Sequence, residues 1–467
     1  MDKYKLTVGL EVHAELNTQT KMFCACKNDP DETRPNVNIC PICMGHPGTL
    51  PVINKEAVKH VLKVGMALGG KLAELSEFDR KNYFYPDIPK GYQISQYKHP
   101  LVSGGKLAGV AVTRVHLEED TARSTHESSD SSLVDFNRAG LPLMELVTEP
   151  CMHSSEEVSC FAKELQLLLQ YLSVAGANME KGEMRIEANV SVSKDDALGT
   201  KVEVKNLNSF RSAERAIRFE FERQTQLLED RGEVAQETRG WDEEKQETFS
   251  QRQKEDSHDY RYFPDPDLPK LKLSEVEEMS AGVLLREMNE IPQEKRERYC
   301  KYGLKKTDIE FYINNIRLSD LFQDTSSLID EKDYRLLSNY IITDLASLGE
   351  RAFGVTAVNL AELIKMISQN LLSSRGAKDV ISKMIETGES PKAIAEQNNL
   401  IQRSDRNYLK TLVDGVVTAN PGVAEEYRAG KTSAIQFLVG QAMKESKGSA
   451  NPTILRELLE KMLQNKD

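Results

Sequence analysis

No uninterrupted apolar run in this chain reaches the ~18 residues that a membrane-crossing helix needs. No Gly-x4-Gly-Lys-Ser/Thr loop occurs either. Gly104-Gly105-Lys106 lacks both the upstream glycine and the following hydroxyl, so any nucleotide binding must use another architecture. Spacing assigns no Ser-His-Asp or Cys-His arrangement, which leaves the chain without a recognisable amide-hydrolysing nucleophile. Internal repeats and low-complexity tracts are lacking. Positive charge is in deficit: 61 Lys and Arg stand against 73 Asp and Glu, a net charge of −12. A nucleic acid would have to be met by local basic patches and not by global attraction. The first residues enter a strand pattern almost at once, so a signal or transit peptide is not expected and the cytoplasm is the default location.

What is present is ample core material. The hydrophobic fraction is 39% over 467 residues, enough for two to four domains. Seven cysteines are spread unevenly. Cys24-x-Cys26, thirteen residues, then Cys40-x2-Cys43 has the ligand number and rough spacing of a zinc knuckle. Four thiolates would close a tetrahedral shell with no open position, so the metal would be structural. The alternative is a cluster of ordinary reduced thiols.

Four segments place acidic or histidine side chains on the polar side of an otherwise apolar strand. In Leu6–Leu16, residues Leu6, Val8, Leu10, Val12 and Leu16 share one face, and Glu11, His13 and Glu15 share the other. The same alternation in Val112–Asp120, Met184–Val192 and Lys201–Leu207 exposes Glu118, Glu187 and Glu203. A lone glutamate of this kind is most often just solvated. Four strands doing it together, one of them carrying a histidine, point to a shared divalent cation. Hard oxygen donors with one imidazole favour Mg²⁺ or Mn²⁺ over zinc. The stretch Phe78–Tyr97 is dense in aromatic and basic groups. It suits either base stacking with phosphate contacts or a rigid Pro- and Tyr-rich loop packed on the core.

Along the chain, residues 1–292 read as mixed strand and helix. Ser154-Ser-Glu-Glu157 is a capping box opening one helix. A second helix is expected from about Ser209 to Arg231, capped by the Asn206–Asn208 stretch and stopped by Gly232. Glu237–Trp241 and Glu247–Gln251 bracket a hairpin turn. Residues 293–400 read as a helical domain and 401–467 as a small helical tail. The fold class expected is α+β: an antiparallel-sheet cradle followed by an all-helical domain and the tail.

These segments resemble a known family. Gly9-Leu-Glu-Val-His13, Cys40–Gly48, Phe78–Gln96, His116-Leu-Glu-Glu-Asp120, Val134–Leu143, Lys205–Phe210, Gln236-Glu-Thr-Arg239, Asp259–Pro264 and Phe437–Lys444 are similar, in this order, to the B subunits of aspartyl/glutamyl-tRNA(Asn/Gln) amidotransferases. The resemblance implies a ligase subunit that uses ATP to phosphorylate the side-chain carboxyl of Glu-tRNA(Gln) or Asp-tRNA(Asn). Ammonia from the A subunit, an amidase, then displaces the phosphate, and the heterotrimer is completed by a small C subunit. The resemblance implies ATP, Mg²⁺ or Mn²⁺, and structural Zn²⁺ on Cys24, Cys26, Cys40 and Cys43. Glu11 and His13 match the metal-binding strand, with Glu187 and Glu203 beside them. The next ligand is Glu118 by strand alternation or Glu119 by the resemblance. Ile186-Glu187 stands where many relatives have Cys-Asp. Lys81 and Tyr83 are expected to contact phosphate or the tRNA 3′ end. In the tail, Arg403, Lys410, Lys431, Lys444 and Lys447 are candidates for the tRNA body. Two competing readings are a non-catalytic tRNA-binding scaffold with a structural zinc and a stand-alone metal-dependent phosphotransferase.

Overall fold

A computed structural model describes residues 3–128, 131–253, 260–402, 405–446 and 449–464. The chain divides into two compact units, Met1–Pro292 and Gln293–Asp467.

The first unit is built on one large sheet. Its main strands are β1 (Lys5–Glu15), β4 (Val110–Glu119), β5 (Pro142–Thr148), β6 (Met184–Ser193), β7 (Val202–Leu207), β8 (Glu237–Asp242) and β9 (Glu247–Gln253). A separate small sheet contains β2 (Asp79–Asn82) and β3 (Tyr92–Ser95), which pair antiparallel. The large sheet runs β9-β8-β7-β6-β1-β5-β4 and ends in the two-residue strands Val102–Ser103 and Lys71–Leu72. One ladder departs from the expected all-antiparallel pattern. β7 and β8 run parallel, with Glu203 opposite Thr238. The cause is the connection: helix α3 (Phe210–Glu229) lies between them and carries the chain back to the starting edge.

One face of the sheet is apolar, as the alternation requires. Val8, Leu10 and Val12 of β1, Leu146 of β5, Val115 and Leu117 of β4, and Val190 of β6 are buried in a single core. Each such side chain contributes about 1.5–3 kcal/mol through burial. Helices α1 (Lys55–Ala67), α2 (Ser155–Tyr171) and α3 supply the other side of that core. Gly65 of α1 is required by contact: a Cβ there would lie 2.4 Å from Val102 Cγ2. Ser154 caps α2 by accepting from the Glu157 N–H, while Glu157 accepts from the His153 N–H. The cap of α3 is Ser209, which accepts from the Ser212 N–H; the asparagines just upstream do not serve. At the other end Arg231, not Gly232, takes the left-handed conformation (φ 61°). The Glu237–Gln253 hairpin forms as its sequence indicates.

Among its described residues the second unit is built of helices, with one isolated bridge between Leu372 and Ile401. Tyr299, Tyr312 and Phe322 form a buried aromatic cluster, with ring centroids 4.9–5.7 Å apart. Arg406–Ala419, Pro421–Arg428, Ala434–Glu445 and Pro452–Gln464 enclose a core of their own, centred on Leu409, Leu438, Leu455 and Leu459.

Candidate functional site: an acidic cradle and a cysteine knuckle

The polar face of the large sheet forms the floor of an open cavity of about 510 Å³. Register explains which side chains meet on it. Glu11 lies opposite Glu187 across β1–β6, and Asn189 lies opposite Glu203 across β6–β7. His13 lies opposite Glu145 across β1–β5, and Glu145 lies opposite His116 across β5–β4. The β6–β7 ladder shifts register between Ile186 and Ala188, on either side of Glu187. Bulges of this kind re-aim a side chain.

Two donor groups result, each with its ligand atoms within 4.8 Å of one another: Glu11, Glu187 and Glu203; and His13, Glu118 and Glu145. In the first, Lys205 Nζ lies 2.9 Å from Glu187 Oε2 and 3.5 Å from Glu203 Oε1. Asn189 Nδ2 donates to Glu11 Oε1 at 2.9 Å, and Asn189 Oδ1 is buried without a partner. Burial opposes the Glu203 charge, yet Lys205 and the Thr238 hydroxyl hold its carboxyl below the usual range. In the second group, His13 Nε2 lies 3.5 Å from Glu118 and 3.4 Å from Glu145. Burial opposes its protonation, but hydrogen bonds to those two carboxylates outweigh it and push it up to about 10. Burial likewise opposes the Glu118 charge, and the His13 hydrogen bond and the Lys81 ammonium hold it low. Glu145 is also held low against burial, by His116 first and then by His13. In both groups protein cations sit where clustered carboxylates call for positive charge. The hard, mostly anionic donor sets and the orphaned Asn189 oxygen fit small divalent ions.

A third cluster adjoins them. Asp120 accepts from Arg185 Nη2 at 3.0 Å and Arg138 Nη2 at 3.2 Å. Burial opposes its charge, and the two guanidiniums hold it low. Burial, together with the neighbouring Asp120 charge, pushes Glu15 up to about 7. Above the floor, Lys81 Nζ lies 5.2 Å from the Tyr260 ring centre and 5.8 Å from that of Tyr83. Burial opposes the Lys81 charge, but Glu118 and the surrounding tyrosines raise it above the usual lysine range. Burial raises the Tyr83 phenol, whose hydroxyl donates to Gln93 Oε1 at 3.2 Å. Tyr262 stacks on Tyr97, with centroids 4.5 Å apart and planes 11° apart.

Of the expected residues, Glu11, His13, Lys81, Tyr83, Glu118, Glu187 and Glu203 all line this cavity. Glu119 does not join them. Alternation persists to the end of β4, so Glu119 faces the other way, where it pairs with Lys90 and accepts from the Ile94 N–H at 2.9 Å. Glu145 is not singled out by the sequence, and His116 is marked there only as the first residue of the His116–Asp120 motif. Glu145 is the one charged residue in the apolar run Pro-Leu-Met-Glu-Leu-Val of β5, and His116 stands two residues from Glu118 on the same face of β4. Tyr260 and Tyr262 also line the cavity from the Asp259–Pro264 motif.

The four cysteines Cys24, Cys26, Cys40 and Cys43 form the third donor group, with all four sulfurs within 4.8 Å of one another. All seven cysteines are unpaired. The Cys40 N–H donates to Cys43 Sγ at 3.1 Å. A hydrogen bond from Cys24 holds the Cys43 thiol down to about 5 against its burial, with help from the Cys40 N–H and Lys21. Four soft sulfur donors around one point, one already favouring the thiolate, fit zinc. In the tail, Lys410, Lys431 and Lys444 are exposed, and Lys431 pairs with Glu426 at 2.8 Å. Arg403 and Lys447 lie outside the described residues.

Residues 6–278 match the family model described as the GatB/GatE catalytic domain, and residues 320–463 match the one described as the GatB domain. Over 99% of its length the chain is 40% identical to the aspartyl/glutamyl-tRNA(Asn/Gln) amidotransferase B subunit of Picosynechococcus sp., covering 98% of that protein. It is 41% identical to the B subunit of Caldanaerobacter subterraneus, with 99% of each chain covered. It is 40% identical to that of Brevibacillus brevis, again with 99% of each covered.

Proposed function

The chain belongs to the family of aspartyl/glutamyl-tRNA(Asn/Gln) amidotransferase B subunits, and from that premise we propose that its cradle carries out the ATP-dependent activation of the misacylated tRNA. The reading assigns the chain a share in converting Glu-tRNA(Gln), Asp-tRNA(Asn) or both to the amide forms. A carboxylate is a poor electrophile. One of its oxygens attacks the γ-phosphorus of ATP and ADP leaves; ammonia then attacks the acyl carbon and inorganic phosphate leaves. Divalent ions held by Glu11, Glu187 and Glu203 and by His13, Glu118 and Glu145 would shield the approach of the two anions. Lys81 supplies a fixed positive charge at the same floor. Tyr83 and the Tyr97–Tyr262 pair offer faces for a base. Holding the aminoacyl end and ATP in one cavity supplies the proximity term.

The observation that carries this reading is the pairing of two separate carboxylate groups on one sheet face beneath a lysine and stacked rings. The cysteine knuckle takes a structural zinc. The A subunit, an amidase, supplies the ammonia, and the small C subunit is the third member of the heterotrimer. The tail domain meets the tRNA body through Lys410, Lys431 and Lys444. Residues 1–292 form the catalytic part, 293–400 a helical domain and 401–467 the tail. Work on tRNA and seven unpaired thiols fit a cytoplasmic setting. Membership in a family of enzyme components also speaks against a non-catalytic scaffold. The test is reconstitution with both partners. Glu11→Ala and His13→Ala should each abolish tRNA-dependent ATP cleavage while glutamine hydrolysis by the partner survives. Unchanged ATP cleavage in both variants rejects the assignment.

A further inference from the structure

Lys21 is only 1% exposed. Its ammonium donates to Ala139 O at 2.7 Å and Phe136 O at 3.2 Å, and lies 4.0 Å from Cys43 Sγ. Among the described residues no carboxylate forms an ion pair with it. Glu119 borders the same loop, its Oε2 lying 3.8 Å from where a Cβ on Gly140 would stand, but Glu119 is engaged by Lys90 and the Ile94 N–H. A buried ammonium with two carbonyls and no anion is poorly compensated. The remaining group in reach that can carry negative charge is the sulfur cluster, and four thiolates around a divalent ion leave a net charge of about −2.

The knuckle is also fastened to one particular loop. The Asn36 N–H donates to Asp135 Oδ1 at 3.0 Å, and the Phe136 N–H donates to Asn36 Oδ1 at 2.8 Å. The Val37 and Asn38 N–H groups both donate to Asn137 Oδ1 at 2.9 Å, while Asn137 Nδ2 donates to Arg34 O at 2.7 Å. Arg138, in the same loop, donates to Asp120 in the cradle. Gly140 closes the loop at φ 84°, where a Cβ would stand 3.5 Å from Cys43 Cβ.

We propose that Lys21 is the buried counter-charge of a four-thiolate metal centre, and that this centre holds the Phe136–Gly140 loop in the position that presents Arg138 to the cradle. The proposal rests on the zinc reading of the knuckle. Lys21 acts through the sulfur cluster and the two carbonyls, so it is a positioning residue. Metal bound at the cysteines thereby sets the geometry of the Arg138–Asp120–Arg185 corner without touching it.

The test uses the reconstituted full-length complex. Zinc content is measured first, then affinity by chelator competition and, after Co²⁺ exchange, the thiolate charge-transfer band. Lys21→Met should weaken zinc binding about 10- to 100-fold and shift that band. Lys21→Arg, which keeps the charge, should recover most of the loss. Lys27→Met, at an exposed lysine beside Cys26, should change nothing. Hydrogen exchange of the wild-type complex needs no variant: stripping zinc should expose the Asn36, Phe136 and Asn137 amides while those of Val8 and Val12 in β1 stay protected. A wild-type complex without zinc overturns the metal reading and the proposal with it. One zinc per chain, held equally tightly by Lys21→Met, overturns the proposal alone. Unchanged loop exchange after stripping overturns the positioning role.

Discussion

Glu145 offers the sharpest test of the cradle, because it stands between two imidazoles and completes one donor group. Its Oε2 lies 3.4 Å from His13 Nε2 and 3.2 Å from His116 Nε2. Glu145→Gln keeps the shape and removes one negative charge. Even at 4.8 Å, the widest spacing between donor atoms in the group and farther than an ion held among them would lie, two unit charges in a medium of effective dielectric ~20 interact by about 3.5 kcal/mol. A dication feels nominally twice that, and the amide oxygen recovers part of it as a dipole. A net loss of about 3–4 kcal/mol is expected, which is two to three decades in ion affinity. The assay is Mn²⁺ titration of the reconstituted complex, followed by ATP cleavage with mischarged tRNA. Mn²⁺ affinity should fall about 10²- to 10³-fold, with ATP cleavage falling alongside and glutamine hydrolysis unchanged. Glu149→Gln, exposed just beyond the end of the same strand, serves as control and should behave as wild type. Affinity and ATP cleavage within about threefold of wild type for Glu145→Gln would refute the reasoning.

Two further outcomes are expected. Glu220 is fully buried and accepts from Arg223 (2.9 Å twice) and Gln224 (3.0 Å), with Arg239 Nε 3.1 Å away. Burial opposes its charge, but hydrogen bonds from Arg223, Gln224 and Thr248 hold its carboxyl below the usual range. Its stabilisation is therefore complete above the unfolded value of about 4.3 and is lost as pH falls through the folded one. Glu220→Gln should cost about 3–5 kcal/mol in urea unfolding at neutral pH, with the gap to wild type narrowing in acid; a gap independent of pH would exclude the ionised network. Truncation after Gln402 removes a self-contained core and leaves the Leu372–Ile401 bridge intact. It should weaken tRNA binding without lowering the thermal transition of the first unit, and full retention of tRNA affinity would reject a tRNA role for the tail.

How much of this was legible beforehand follows from the range of each interaction. Strand alternation is a local property, so the two faces of β1, β4, β6 and β7 could be read directly, and with them Glu11, His13, Glu118, Glu187 and Glu203. Which carboxylates share an ion is a matter of register between strands distant in sequence. The division into two donor groups, and the place of Glu145 opposite both His13 and His116, therefore needed the fold. The 20-residue helix between β7 and β8 is compatible with a parallel crossover, but that these two strands pair as neighbours needed the fold. Helix starts were legible to within a residue, while α3 stops at Glu229, before the expected Arg231. The α3 cap fell to Ser209 because its hydroxyl reaches the Ser212 amide while its backbone is still extended. Lys21 carries no local mark in the sequence, since nothing near it reveals that its ammonium ends among carbonyls and sulfur.

The adjacency of Glu118 and Glu119 has an evolutionary consequence. These neighbours serve opposite sides of one plank: the first joins the carboxylate floor of the cradle, the second clamps Lys90 near the cysteines. Losing a single codon shortly before them would move each residue one place along, bringing Glu119 to the floor and Asp120 to Lys90 while driving Glu118 into the core position that Leu117 now fills. Lineages should therefore tolerate exchanges of amino-acid type along β4 far more readily than any change in its length.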